Sequence, residues 1–269
     1  MEMNTLAIDT HAHVVSSTRP IQSDRHSQPE SDATVSEYLG LLDAHGISHG
    51  LLTAPSIYGT DNSLALDAVA EAGGRLRATA GIATDTTLEA LIRLRDAGAA
   101  GVRLNWVRKQ NLPDARAWQP VLERVREAGM HVEVFVESWK LPGILPILSA
   151  AGAPLVLDHF GYPDVDQGVD GPGFRLVRKA VEEGRTWVKL SAPYRMGNAD
   201  PQPYVDALLL SGGAERLMWG SDWPWAQHAD GMTYSRCIDW LEKWIPDADL
   251  RRVVLWDTPA RLFGFDAVN

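Results

Sequence analysis

Short runs in which apolar residues alternate with polar ones recur along the chain. They are separated by longer stretches with apolar residues three and four apart. The first kind, "TLAID", "GISHGLLTA", "RATAGIA", "AGVRLNW", "HVEVFVE", "APLVLDH", "TWVKLSA" and "RLMWGSD", has strand periodicity. The second, such as "TVSEYLGLLDAHG", "TLEALIRLRDAG" and "DARAWQPVLERVREAG", predicts amphipathic helices. Gly46, Gly98 and Gly129 close helical patterns just before strands, as helix C-termini favour. About eight βα units in one chain predict a single (β/α)8 TIM barrel over residues 1–269. A doubly wound sheet is the competing layout, but no GxGxxG follows a strand. Two longer connections, Val14 to Asp32 and Trp223 to Met232, follow strand ends and should roof the C-terminal mouth, where barrel active sites sit.

Alternation also sorts the polar residues at the strand ends. Asp9, His11 and His13 fall on one face with Ala7 and are expected to point inward together. Arg103 and Asn105 point inward from the fourth strand, Glu133 and Glu137 from the fifth, and Lys189 from the seventh. His159 ends the sixth strand, Asp222 ends the eighth, and Arg195 follows in the seventh loop. A charge inside a barrel needs a partner, so Lys189 should bond a carboxylate such as Glu133 or Asp9. Asp158 reads as an orienter of a neighbouring ring or as a helix-start carboxylate. His131 opens a strand at the opposite end and reads as structural, whereas His26, His45, His49 and His228 fall on loops or helix ends and are expected mostly exposed. Trp240 and Trp244, at helical spacing, read as core; Trp106, Trp139, Trp223 and Trp225 follow strand ends and are expected to wall a pocket.

Composition narrows the class. A net charge of -10 argues against nucleic acid and anionic membranes as partners, so an anionic substrate would need local arginines. The lone Cys237 fits a reducing cytoplasm, and the start "MEMNTLAIDTH" lacks the basic and apolar regions of a secretion signal. No apolar run approaches the roughly 20 residues of a membrane span. Nothing in the pattern excludes a homo-oligomer.

Six stretches, "DTHAHV", "YGTDN", "GVRLN", "LDHFG", "VKLSAPYR" and "WGSDWP", together resemble the amidohydrolase superfamily. Within it they are most similar to the branch of 2-pyrone-4,6-dicarboxylate lactonase and related sugar and muconolactone hydrolases. They occur in family order across nearly the whole chain. The resemblance implies hydrolysis of a carboxylate-bearing lactone, with Asp222 as general base and His13 and His159 polarising the carbonyl. Arg103, Arg195, Asn105 and Trp223 form the expected substrate-binding set, with a further basic residue near Arg108 or Lys109. The metal-rich pattern of the superfamily is incomplete, since the fourth strand ends in "RLNW" and the fifth in "VFVESW". The expected cofactor is therefore none, or a single divalent ion, zinc first, on His11, His13 and Asp222 with Glu137 or His159. A mononuclear metal-dependent decarboxylase and a non-catalytic carboxylate-binding barrel are the alternatives.

Overall fold

The computed structural model describes residues 6–23, 31–109 and 111–265. Eight parallel strands form one sheet in the order β1 to β8: β1 Ile8–Ala12, β2 His49–Leu52, β3 Leu76–Gly81, β4 Ala99–Asn105, β5 His131–Phe135, β6 Leu155–Leu157, β7 Thr186–Leu190 and β8 Leu217–Trp219. The sheet closes on itself. Thr10 Oγ1 donates to Trp219 O (2.7 Å), Asp222 N donates to His11 O (2.7 Å), and His13 N donates to Trp223 O (2.8 Å). Each strand is followed by a helix: α1 Val35–Ala44, α2 Ser63–Glu71, α3 Leu88–Asp96, α4 Ala115–Glu127, α5 Leu141–Ala151, α6 Pro172–Glu182, α7 Gln202–Gly212 and α8 Tyr234–Trp244. The expected (β/α)8 barrel is the observed fold. Among the described residues no helix is long and apolar enough to cross a membrane.

Local chemistry explains the element ends. Thr34 accepts from Glu37 N while the Glu37 carboxylate accepts from Thr34 N, so the "TVSE" run starts α1 with a reciprocal cap. Gly46, Gly98 and Gly129 all take positive φ, the left-handed turn that releases a helix toward the next strand. The main core lies between the sheet and the helices. A second cluster plugs the N-terminal end, where Ile8, Leu51, Val156 and Met218 meet Phe263 and Phe265. Phe263 ends α10 (Thr258–Phe263), which follows α9 (Ala248–Arg252) and a π-helical turn.

Two expectations need correction here. Ile8, not Asp9, points into the barrel floor, and the β1–β2 register shifts between Asp9 and Ala12. This bulge inserts one residue into the alternation, so Asp9 faces α1 and α8 while His11 faces inward. His49 is not an exposed loop residue. It opens β2, is buried, and packs against Trp256 and Phe265.

Candidate active site

Closing the barrel brings β1, β6, β7 and β8 together at the mouth, and one carboxylate sits at their meeting point. Asp222 Oδ2 accepts from Tyr194 Oη (2.5 Å) and from Arg195 Nη2 (2.9 Å) and Nε (3.3 Å). Its other oxygen, Oδ1, has no hydrogen-bond partner among the described residues. Three imidazole nitrogens surround that oxygen: His11 Nε2 at 3.4 Å, His13 Nε2 at 3.5 Å and His159 Nε2 at 3.9 Å. Burial pushes the Asp222 carboxyl up, but Arg195 and the histidines outweigh it and hold it well below the usual carboxylate range. Asp222 is therefore an anion with one saturated face and one open face.

The far side of each ring decides what it presents. His13 Nδ1 lies 2.7 Å from Thr53 O, and a carbonyl only accepts, so Nδ1 carries a proton and Nε2 faces the cavity. His159 Nδ1 lies 2.8 Å from Ser191 Oγ, which can donate to it. Burial lowers the His159 pKa to about 4, so its ring is neutral near pH 7. His11 is fully buried beneath the other two, with its pKa lowered by burial and by Lys189.

Backbone strain concentrates at this end. His159, Ala192 and Asp222, each just beyond a strand, take positive φ of 50°, 50° and 59°. L side chains rarely adopt that region, so its recurrence at three neighbouring strand ends marks a place where geometry outranks local stability. Gly220 has a different reason to be glycine. A Cβ there would lie 2.5 Å from His11 Cβ, so the β8 end can approach β1 only without a side chain.

Beneath the mouth lies a layer of ion pairs. Arg103 donates to Asp158 Oδ2 from Nε (3.0 Å) and Nη2 (2.9 Å) and to Ala54 O from Nη1 (2.8 Å). Lys189 Nζ lies 2.5 Å from Glu133 Oε2, the first of the two partners expected for it. Asp9, the second, is instead held by Ser221 N (2.9 Å), Ser221 Oγ (2.6 Å) and Tyr234 Oη (2.9 Å). Asp158 does not orient His159; its Oδ1 lies 3.3 Å from His11 Nδ1.

His13, Phe135, Arg103, His159, Arg195 and Asp222 line a cavity of about 70 Å³. The 223–232 connection covers it with Pro224, Ala226 and Ala229, and Val15 and Ser31 close it from the first connection. Arg25 and His26 of that connection lie outside the described residues. A wider cavity of about 490 Å³ adjoins it across Pro55, Ser56 and Arg103, and this second one holds Asn105, Trp106, Lys109 and Trp118.

Several expected site residues are placed elsewhere. Trp223 does not wall the cavity; it is buried and stacks on Tyr38 at 5.5 Å, because the chain bends at Asp222 and turns the indole under α1. Asn105 faces the wider cavity and not the Asp222 centre. Trp139 is half exposed. Glu137 is turned away from the histidines, accepting from Arg108 N (2.9 Å) and pairing with Lys140 Nζ (2.9 Å), so it is no fourth ligand. Sequence reasoning overlooked Tyr194, although its place beside Arg195 in "SAPYR" put it at the same strand end.

The donor set suits one divalent ion. His11 Nε2 and Asp222 Oδ1 are buried without partners and face one another, with the His13 ring beside them. Two imidazoles and a carboxylate whose ligand atoms lie within 4.8 Å of one another match a mononuclear site.

Comparison with known proteins places the chain among lactone hydrolases. A 2-pyrone-4,6-dicarboxylate hydrolase from Comamonas testosteroni is 30% identical, covering 96% of this chain and 90% of its own. A 4-sulfomuconolactone hydrolase from Hydrogenophaga intermedia is 32% identical over 95% of this chain and 88% of its own. The crystal structure of a probable 2-pyrone-4,6-dicarboxylic acid hydrolase from Acinetobacter baumannii, with citric acid bound, superposes with a TM-score of 0.91. It is 32% identical and covers 98% of this chain and 100% of that one. The amidohydrolase family profile matches residues 8–265, and the chain belongs to that family.

Proposed function

We propose that this protein hydrolyses a lactone carrying one or more carboxylates. The observation that carries the reading is the two-faced Asp222: Tyr194 and Arg195 saturate Oδ2, and Oδ1 is left without a hydrogen-bond partner amid three imidazoles at the cavity wall. An open carboxylate oxygen there can take a proton from a water that attacks the ring carbonyl. A strongly held anion is a weak base, which suits an activated ester better than an amide. With Ser191 Oγ as the donor to Nδ1, the neutral His159 ring turns Nε2–H toward the cavity as a donor for the developing oxyanion. His13, with Nδ1 bonded to Thr53 O, presents an Nε2 lone pair to the cavity. Arg195 lies at the cavity wall with Nε and Nη2 bonded to Asp222 Oδ2, so its remaining N–H groups and its charge are what can meet a substrate carboxylate. Arg103 reaches the same wall but is tied to Asp158, so its part is to shape the positive end of the pocket. His11, His13 and Asp222 would hold a divalent ion, zinc first, whose chemistry when bound is polarisation of the carbonyl.

The relatives support an anionic lactone, since they are named for hydrolysing a dicarboxylate pyrone and a sulfonated muconolactone. The citric acid in the Acinetobacter baumannii structure is itself a tricarboxylate. The test is a panel of lactones with and without carboxylates, given to protein treated and untreated with chelator, following acid release. We expect turnover of carboxylated lactones and little turnover of neutral ones. Carbon dioxide release, or binding without turnover, would overturn the proposal in favour of a decarboxylase or a binding module respectively.

A further inference from the structure

The seam of the barrel that carries the Asp222 centre lacks a regular ladder. Each consecutive pair from β1–β2 to β7–β8 runs as a parallel ladder. Among the described residues β1 and β8 share only the isolated bridge between Ala12 and Trp223. Yet His11 and His13 stand on one side of this seam and Asp222 on the other. Asp222 also takes a φ of 59°, which an L side chain keeps only when its surroundings enforce it. Something besides a ladder must fix both the seam and this turn.

The Asp9 carboxylate meets both needs. The bulge in β1 turns it away from the barrel interior and under the end of β8. Its Oδ1 accepts from Ser221 N (2.9 Å) and His11 N (3.1 Å). Its Oδ2 accepts from Ser221 Oγ (2.6 Å) and Tyr234 Oη (2.9 Å). Ser221 Oγ in turn accepts from Trp223 N (3.1 Å). The peptide N–H groups on both sides of Asp222 are thus held, while its own donates to His11 O (2.7 Å). Asp9 and Ser221 are both buried, so water does not compete for these bonds.

We propose that Asp9 and Ser221 are a positioning pair that sets where Asp222 points without touching substrate. Asp9 acts through the Ser221 hydroxyl, and Tyr234 only steadies Asp9 from α8. Misplacing a reacting group by about 1 Å can cost on the order of 100-fold in rate, so bonds one residue from the chemistry count. This rests on the role of Asp222 proposed above, but on no particular lactone.

The experiment compares Asp9→Asn, Ser221→Ala, their double variant and Tyr234→Phe with the wild type by steady-state kinetics and calorimetry. Asp9→Asn keeps one oxygen for the two peptide N–H groups and loses the anionic acceptor of the Ser221 hydroxyl. With a carboxylated lactone, kcat should fall about tenfold in Asp9→Asn and about tenfold or more in Ser221→Ala. KM should stay within about twofold of wild type in both. The double variant should match Ser221→Ala, because Asp9 then has no hydroxyl to act through. Tyr234→Phe should lower Tm yet keep kcat within about twofold, a split that a merely structural role of Asp9 would not give. Amide hydrogen exchange, read by NMR without substrate, should quicken about tenfold at Trp223 in Ser221→Ala. Losses that add in the double variant, or a kcat that follows Tm through every variant, would overturn the proposal. So would wild-type kcat or wild-type Trp223 exchange in Ser221→Ala. If the wild type opens no lactone, the lactone reading fails by itself and Trp223 exchange still decides the clasp. Should Asp9→Asn fail to fold, kcat and exchange in Ser221→Ala decide.

Discussion

Two groups of histidines, buried except for the partly exposed His13, stand at opposite ends of the same barrel, and their surroundings divide them by function. At the N-terminal end, His131 Nδ1 lies 3.0 Å from Ala100 O and its ring packs on Phe263 at 4.9 Å. His49 Nδ1 meets Ser48 Oγ, with Trp256 and Phe265 around the ring. At the C-terminal end, His11, His13 and His159 are equally anchored at Nδ1, but all three turn Nε2 toward one carboxylate oxygen. Burial alone therefore says little about a histidine. Convergence of several open nitrogens on one open acceptor is what marks chemistry, because such an arrangement is costly unless a substrate or ion completes it.

The sharpest way to break this contrast is to remove the acceptor. Asp222→Asn keeps the shape but loses the anion and the proton acceptor, and kcat for a carboxylated lactone should fall by about 10² to 10⁴, or about 3–5 kcal/mol of barrier. Steady-state kinetics beside an unchanged circular dichroism spectrum would check it; wild-type turnover in the variant would remove Asp222 from the role of base.

Arg195 tests the other face of the same carboxylate. Arg195→Ala removes two of the three donors to Asp222 Oδ2 together with the guanidinium charge at the cavity wall. Charge-assisted bonds of this kind contribute about 1.5–3 kcal/mol, so kcat/KM for a carboxylated lactone should fall by about 10- to 100-fold. The loss should be smaller for a lactone of matching ring without the carboxylate. Equal losses for the two substrates would place Arg195 wholly in service of Asp222.

How far the sequence showed this site depends on which physical rule governed each residue. His13, His159, Arg195 and Asp222 were legible because strand ends at a barrel mouth are fixed by periodicity. Asp9 was not, since the bulge after it depends on β1 meeting β8, a contact between positions more than 200 residues apart. Trp223 was misplaced for a similar reason: the positive φ at Asp222 re-aims everything after it, and nothing local encodes that turn. The pairing of Lys189 with Glu133 followed from the cost of a lone buried charge, whereas its contact with His11 required three strands to be placed in space.

Acid titration compares the two ends through stability. His159 has a pKa near 4 in the folded chain, below the ordinary 6.5, because burial disfavours its charged form. Between those values the unfolded chain binds the extra proton, so this residue's contribution to stability is lost as pH falls from 6.5 toward 4 and regained as pH rises. The full difference corresponds to about 3 kcal/mol. His159→Gln should flatten the slope of Tm against pH across that window, measured by calorimetry. A slope equal to the wild type's would assign the acid sensitivity to other groups, such as His11, whose pKa is lowered in the same direction.

The smallest effect on activity is expected at the opposite end. His131→Phe keeps an aromatic ring against Phe263 but deprives Ala100 O of its imidazole partner, a loss of about 1–3 kcal/mol in stability for a buried acceptor. Chemical denaturation would read that cost directly. The catalytic constants should stay within about twofold of wild type, since the cost is one of folding and not of transition-state binding. If kcat fell in step with stability, the two histidine groups would be coupled through Glu133, whose Oε2 lies 3.9 Å from His131 Nε2 and 2.5 Å from Lys189. The ion layer would then transmit strain from the floor of the barrel to His11, and the division of labour between the two ends would hold only while that layer is intact.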